Sequence, residues 1–238
     1  MPNILAVDTS SDNCSVALFL DTKLDLVCEP APRKHTQLIL PMVKSIVDKH
    51  QLELNQLDAL AFGCGPGSFT GIRIAAGVAQ GFAFGLDCPV YPVSNLKAMA
   101  LQCYREHGIS KVLVAIDARM DEVYWSLCLV SENSDKTSVE VTTLLGEFVT
   151  KPELLDLSGV DLDGDIIGTG SGFEFITRFP ENIQKALCSY DKNARPKADA
   201  ICELALADYQ EGKDGAISDA LPSYVRDTVT WKKLPGRE

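Results

Sequence analysis

Apolar positions along the chain change their period several times, and each change marks an element. Ile4-Leu5-Ala6-Val7 is an unbroken apolar run, as expected of a strand covered on both faces. Asp8-Thr9-Ser10-Ser11-Asp12-Asn13 is a dense run of turn formers, and Cys14 to Leu20 resumes a strand pattern, so the chain opens on a hairpin. A third strand is expected over 25–29. Between His35 and His50 the period lengthens. Leu38, Met42 and Ile46 recur every four residues, and so do Ile39, Val43 and Val47, which predicts an amphipathic helix with a wide apolar face. Pro41, within two turns of its start, is expected to kink it.

Leu57 to Phe62 reads as a buried strand. It runs into Gly63-Cys64-Gly65-Pro66-Gly67-Ser68-Phe69-Thr70-Gly71 and then into a helix over about 72–84. Only Arg73 and Gln80 are polar in that helix. Ile74, Val78 and Phe82 make a bulky stripe, and Gly77, Gly81 and Gly85 make a stripe with almost no side chain. A helix apolar nearly all round must be covered nearly all round. One sheet covers one face, so the glycine stripe is expected to admit either the 35–50 helix or a second subunit. Each glycine lowers helix propensity by about 1 kcal/mol.

Pro89 to Val93 is a short strand, with Ser94 as N-cap of a helix to about Glu106. Lys111 to Ile116 is a strand, followed by Asp117 and a second hairpin through 123–130. Leu5-Ala6-Val7-Asp8 recurs as Val114-Ala115-Ile116-Asp117, and the same shift of 109 residues puts Asp12 on Asp121 and Leu18 on Leu127. Strand, Asp, tight turn and strand therefore occur twice, which predicts two related subdomains, 1–105 and 106–238. Farther on, a strand is expected over 139–145, a short helix at Pro152, a strand-to-loop junction at Gly168-Thr169-Gly170-Ser171-Gly172, and a helix over 198–210. From Ala220 the tail is irregular.

The formal charge of −11 changes the functional picture more than the hydrophobic content does. A chain that grips a polyanion carries a basic stripe. Here the basic runs stop at Arg33-Lys34 and Lys232-Lys233, so any role in RNA chemistry is expected to run through a more basic partner. Eight cysteines without CxxC spacing, several inside strand patterns, fit reduced thiols in the cytoplasm. No signal peptide is expected ahead of the first strand, and no apolar run is expected to span a membrane.

The glycine-rich loop 63–71 feeds a helix N-terminus, where free N–H groups favour anions. It matches neither GxxxxGK[ST] nor GxGxxG, because position 70 is Thr70. Ser68 and Thr70 stand as candidates for an anion contact or for a helix cap. Asp8, at a strand end, suits either a phosphate-side cation or the closure of its own turn. Neither Ser68 nor Ser171 lies in a GxSxG elbow. His35, His50 and His107 are too scattered for a zinc site.

Ile4 to Ser10, His35-Thr36-Gln37-Leu38-Ile39-Leu40-Pro41, Gly65-Pro66-Gly67-Ser68-Phe69-Thr70-Gly71-Ile72-Arg73, Asp117 to Tyr124 and Pro222-Ser223-Tyr224-Val225-Arg226 together resemble the TsaB (YeaZ) family. The resemblance implies an α/β fold of the ASKHA (actin/hexokinase/Hsp70-like) type with two related subdomains, each a mixed sheet flanked by helices. It implies a non-catalytic scaffold that binds a catalytic paralogue, TsaD, together with TsaE. That assembly transfers threonylcarbamoyl to the adenosine next to the anticodon in tRNAs reading codons that start with A. TsaD binds metal through a VNHxEGH-like motif. The matching stretch is Val93 to Met99, with Asn95 and Met99 at the two His positions, so no metal site is expected. The implied partner surface is built from helices 35–50 and 71–85, with Leu38, Met42, Ile46, Arg73, Ala76, Gly77, Gln80, Gly81 and Phe84 as the expected contacts. A homodimer is expected in the absence of TsaD. No cofactor is expected to bind tightly, with any nucleotide at the junction with TsaD and tRNA reached only through the complex. The competing expectation is an autonomous ASKHA ATPase or phosphotransferase using Asp8 and the 168–172 loop. A peptidase lacks both the His pair and the elbow.

Overall fold

A computed structural model describes residues 1–132 and 139–226. The basic pair at 232–233 lies outside them. The first sheet is built from β1 (Ile4–Asp8), β2 (Asn13–Leu20), β3 (Lys23–Pro30), then α1 (His35–Lys49), β4 (Ala59–Gly65), α2 (Phe69–Leu86) and β5 (Val90–Ser94). α3 (Asn95–His107) leads to β6 (Lys111–Arg119), β7 (Glu122–Glu132) and β8 (Val139–Thr150). β9 (Ile166–Thr169), α4 (Glu181–Ala186), β10 (Leu187–Asp191) and α5 (Ala198–Gln210) complete the elements.

The two sheets have the same topology. In the order β3-β2-β1-β4-β5, β1 is antiparallel to β2 and parallel to β4. In the order β8-β7-β6-β9-β10, β6 is antiparallel to β7 and parallel to β9. The 109-residue echo is therefore a structural duplication, and the mixed sheets have the ASKHA-like arrangement.

Alternation along β1 sets the layers. Leu5 and Val7 face α1 and α2, in a core with Ile39, Met42, Val43, Ile46, Phe62 and Ala79. Ile4 and Ala6 face the opposite way, into a central core with Leu96, Met99 and Leu101 of α3, Ile201 and Cys202 of α5, and Val112 and Val114 of β6. The far face of the second sheet packs Leu113, Trp125 and Leu127 against Phe173, Phe179 and Ile183. Two helices thus lie between the sheets, α5 chiefly against the first and α3 chiefly against the second. Each of the two helices thus packs across the expected division at 105/106. The chain of the second half returns to complete the first sheet, where Val90 N donates to Gly215 O at 2.9 Å and Ser223 N to Cys64 O at 2.8 Å.

α1 passes through Pro41 without interruption. α2 has 18 residues and is long and apolar enough to cross a membrane by length and composition, contrary to the sequence expectation. One of its faces is packed onto the sheet through Ile72, Ala75, Ala76, Ala79 and Ala83.

Candidate functional site: an open helix face beside a closed loop

α2 starts where Ser68 caps it, accepting a hydrogen bond from Gly71 N at 3.3 Å. Its inward face is alanine, so the helix lies close on the sheet. Its outward face is glycine. A Cβ added at Gly77, Gly81 or Gly85 would meet nothing within 4 Å. The stripe therefore does not receive α1. Among the described residues it borders open space, flanked by Phe84, which is 81% exposed, and it leads back to Phe69, 61% exposed, at the N-terminal end. The Arg73 guanidinium lies 3.3 Å over the Phe69 ring and 5.2 Å from that of Tyr224, which the tail brings alongside. Gln80 Nε2 donates to Ala220 O at 2.5 Å. An apolar strip of this kind, walled by aromatic rings, is what a protein interface needs.

Part of the expected contact set is corrected. Met42, Ile46 and Ala76 are at most 5% exposed and belong to the core of their own subdomain. Leu38 is half-buried against the same core. The four-residue stripes of α1 both point inward, and its outer side instead presents Leu40, Pro41, Lys44, Ser45 and Asp48 around a shallow groove. Arg73, Gly77, Gly81 and Phe84 are exposed as the partner face requires, and Gln80 is half-buried and tied to the tail. Leu40, Phe69 and Tyr224 are exposed apolar residues that periodicity did not single out. Leu40 could have been found as the apolar residue lying off both α1 stripes.

Of the candidates for an anion or nucleotide, Asp8 is drawn into the chain's own packing, Ser68 caps α2 and Thr70 stays exposed. Ser68 N donates to Ser10 O at 2.7 Å, and Thr9 Oγ1 donates to Gly71 O at 2.7 Å. A Cβ at Gly67 would stand 2.7 Å from Ser10 O, and one at Gly71 would stand 1.9 Å from Thr9 O. These glycines admit the turn after β1. Ser68 is the cap, and Thr70 is exposed in the first turn. Asp8 is fully buried and closes its own turn, the second of the two readings open from the sequence. Its Oδ1 accepts from Ser10 N at 3.2 Å and Ser10 Oγ at 3.0 Å, and burial outweighs these bonds to push its pKa up to about 7.

The 168–172 loop is closed in the same way. A Cβ at Gly170 would lie 2.3 Å from Ala115 O, one at Gly172 2.8 Å from Ala115, and one at Gly168 2.3 Å from the Phe173 ring. Between the sheets remains a cavity of about 160 Å³, lined by Asn13, Met99, Gln102, Thr169, Asp191 and Arg195 among others. Cofactor pockets occupy roughly 300–1,000 Å³. Arg195 Nε donates to Asp12 Oδ1 at 2.9 Å, across the cleft.

Asn95 and Met99, at the positions where the resemblance puts metal ligands in the paralogue, are buried and hold the fold. Asn95 Nδ2 donates to Pro66 O at 3.3 Å, and Met99 packs against Gly170. Buried thiols lie around them. Burial pushes Cys64 and Cys103 up to about 12, so both stay protonated and inert at neutral pH.

The model of the family "TsaD: tRNA N6-adenosine threonylcarbamoyltransferase" matches residues 26–234. The tRNA threonylcarbamoyladenosine biosynthesis protein TsaB of Escherichia coli K12 is 41% identical over 237 residues, covering 99% of both chains. The protein of the same name from Haemophilus influenzae is 43% identical over 238 residues, covering 99% of this chain and 98% of its own. The crystal structure of YeaZ from Pseudomonas aeruginosa superposes with a TM-score of 0.86 at 39% identity, covering 94% of this chain and all of that one. Near full-length identity, the shared fold and the motifs at the α2 junction together place the chain in the TsaB (YeaZ) family.

Proposed function

We propose that this chain is a non-catalytic subunit of the machinery that makes threonylcarbamoyladenosine in tRNA, docking TsaD through the outer face of α2 and supporting its turnover together with TsaE. The observation that carries the reading is the open strip of Gly77, Gly81 and Phe84, a helix face with no cover among the described residues. The names of the relatives from E. coli and H. influenzae supply the pathway. Asn95 and Met99 support the non-catalytic part, since a carboxamide engaged with Pro66 O and a buried thioether are poor holders of a divalent ion. The charge of −11 supports contact with tRNA through the complex and not by this chain alone. In the absence of TsaD the same strip pairs two copies of the chain. No cofactor binds tightly, any nucleotide is held at the junction with TsaD, and the assembly works in the cytoplasm.

An ATPase centred on Asp8 and the 168–172 loop is not favoured, because that carboxyl is fully buried and those glycines are filled by Ala115 and Phe173. The test is tRNA threonylcarbamoylation reconstituted from the adenylate-forming enzyme, TsaD and TsaE, with and without this chain. Product beyond one turnover is expected only in its presence. Equal product without it overturns the proposal.

A further inference from the structure

Two side-chain oxygens deep in the molecule face each other without a donor. Asp8 Oδ2 and Asn95 Oδ1 are both buried, and neither has a hydrogen-bond partner among the described residues. They flank one point. A Cβ on Gly63 would stand 2.2 Å from the first and 2.4 Å from the second. The orientation of the Asn95 amide is set by its other end, where Nδ2 donates to the carbonyl oxygen of Pro66. Turning the amide over would satisfy Asp8 but would face two acceptors, Asn95 Oδ1 and Pro66 O, at 3.3 Å. A buried acceptor without a donor costs about 1–3 kcal/mol, and here two are left at once.

A single proton removes both deficits. We propose that Asp8 is a neutral carboxylic acid that donates its proton to Asn95 Oδ1, completing a chain of hydrogen bonds from β1, through the start of α3, to the loop that launches α2. Ser10 closes the other end by donating twice to Asp8 Oδ1. The surroundings favour the uncharged form. The titratable groups that bear on this site are the thiols of Cys14 on β2, Cys28 on β3 and Cys64 on β4, and α5 presents the apolar Ile201. The nearest cation on α2, Arg73, lies over the Phe69 ring instead. Burial raises the Asp8 pKa to the same effect. Gly63 is required because any side chain there would occupy the meeting point of the two groups.

The proposal makes Asp8 a positioning residue and the loop before α2 sensitive to pH. The experiment uses the full chain labelled with 13C at aspartate carboxyl carbons, with the Asp8 signal assigned by its loss in Asp8→Asn. The expected result is an Asp8 carboxyl that is still protonated at pH 6 and titrates near neutrality. Asp8→Asn, whose amide N–H replaces the acid O–H, is expected to match or exceed the wild-type Tm at pH 8. A carboxylate signal at pH 5 overturns the proposal and means that the Asn95 amide is turned over. A wild-type Tm that rises with added Mg²⁺ or K⁺, and does not in Asp8→Asn, also overturns it by putting a cation where the proton is assigned.

Discussion

Single atoms decide how the turn after β1 seats against the start of α2. Gly71 is the tightest position, since its missing Cβ would stand 1.9 Å from the carbonyl oxygen of Thr9, a backbone atom that cannot swing aside. Gly71→Ala is therefore expected to destabilise the fold by about 3 kcal/mol, the upper part of the usual range for overpacking, measured as a fall in the urea midpoint. Asp8 adds a pH dependence whose sign is opposite to that of a salt-bridged carboxylate. Its folded pKa, about 7, lies above the ordinary 3.8, so the folded state holds a proton that the unfolded chain releases between these values. Stability from this group is complete below about pH 4, declines as pH rises towards 7, and is level above that. The decline is on the order of 4 kcal/mol. Thermal melts from pH 4 to pH 8 are expected to show this decline in the wild type and to lose it in Asp8→Asn.

At the scale of elements, α2 is assembled the reverse of what a purely intrachain helix needs. Alanine faces the sheet and glycine faces out. Gly81→Ala fills open space and is expected to stabilise the isolated chain by about 0.5–1 kcal/mol, the propensity gain alone. Gly81→Leu is expected to leave the Tm of the isolated chain within a few degrees of wild type while abolishing co-elution with TsaD on gel filtration. A normal complex with Gly81→Leu moves the interface off this face. α1 supplies the matching pair. Leu40→Asp is expected to leave folding intact, because Leu40 is 52% exposed, whereas Met42→Asp puts an unpaired carboxylate into the core and is expected to abolish soluble expression. The sequence located both helices from periodicity, offered Ser68 and Thr70 for the cap of α2, and named Ser94 for the cap of α3. It could not assign the partner stripe on α1. The two four-residue stripes differ by one position, and only the tilt of α1 on the sheet selects the outward side.

At the scale of the molecule, the halves are interlocked and not merely joined. α5 covers the face of the first sheet that α1 and α2 leave bare, and α3 of the first half covers the second sheet. The tail then runs back to Cys64 and bridges to the second hairpin, where the Arg226 guanidinium donates to Glu122 and to Ala118 O. A fragment ending at residue 105 exposes Ile4, Ala6, Ala61 and Val93 to water and is expected to remain unfolded by circular dichroism, although it carries both α1 and α2. A folded fragment would show that the first sheet does not need α5.

What the sequence determined by itself was local and periodic. The strands other than β10, the four-residue echo ending at Asp8 and Asp117, the cap at Ser94, and a helix with more apolar surface than one sheet can cover all follow from residue type and spacing. The tertiary structure alone decided which apolar stripes found a cover, that Gly67 and Gly71 admit the backbone of the turn after β1, and that Gly63 leaves room for the buried side chains of Asp8 and Asn95. Each of these depends on atoms that are tens of residues apart in the chain, and a period of two or four carries no information about what the fold brings to the other side.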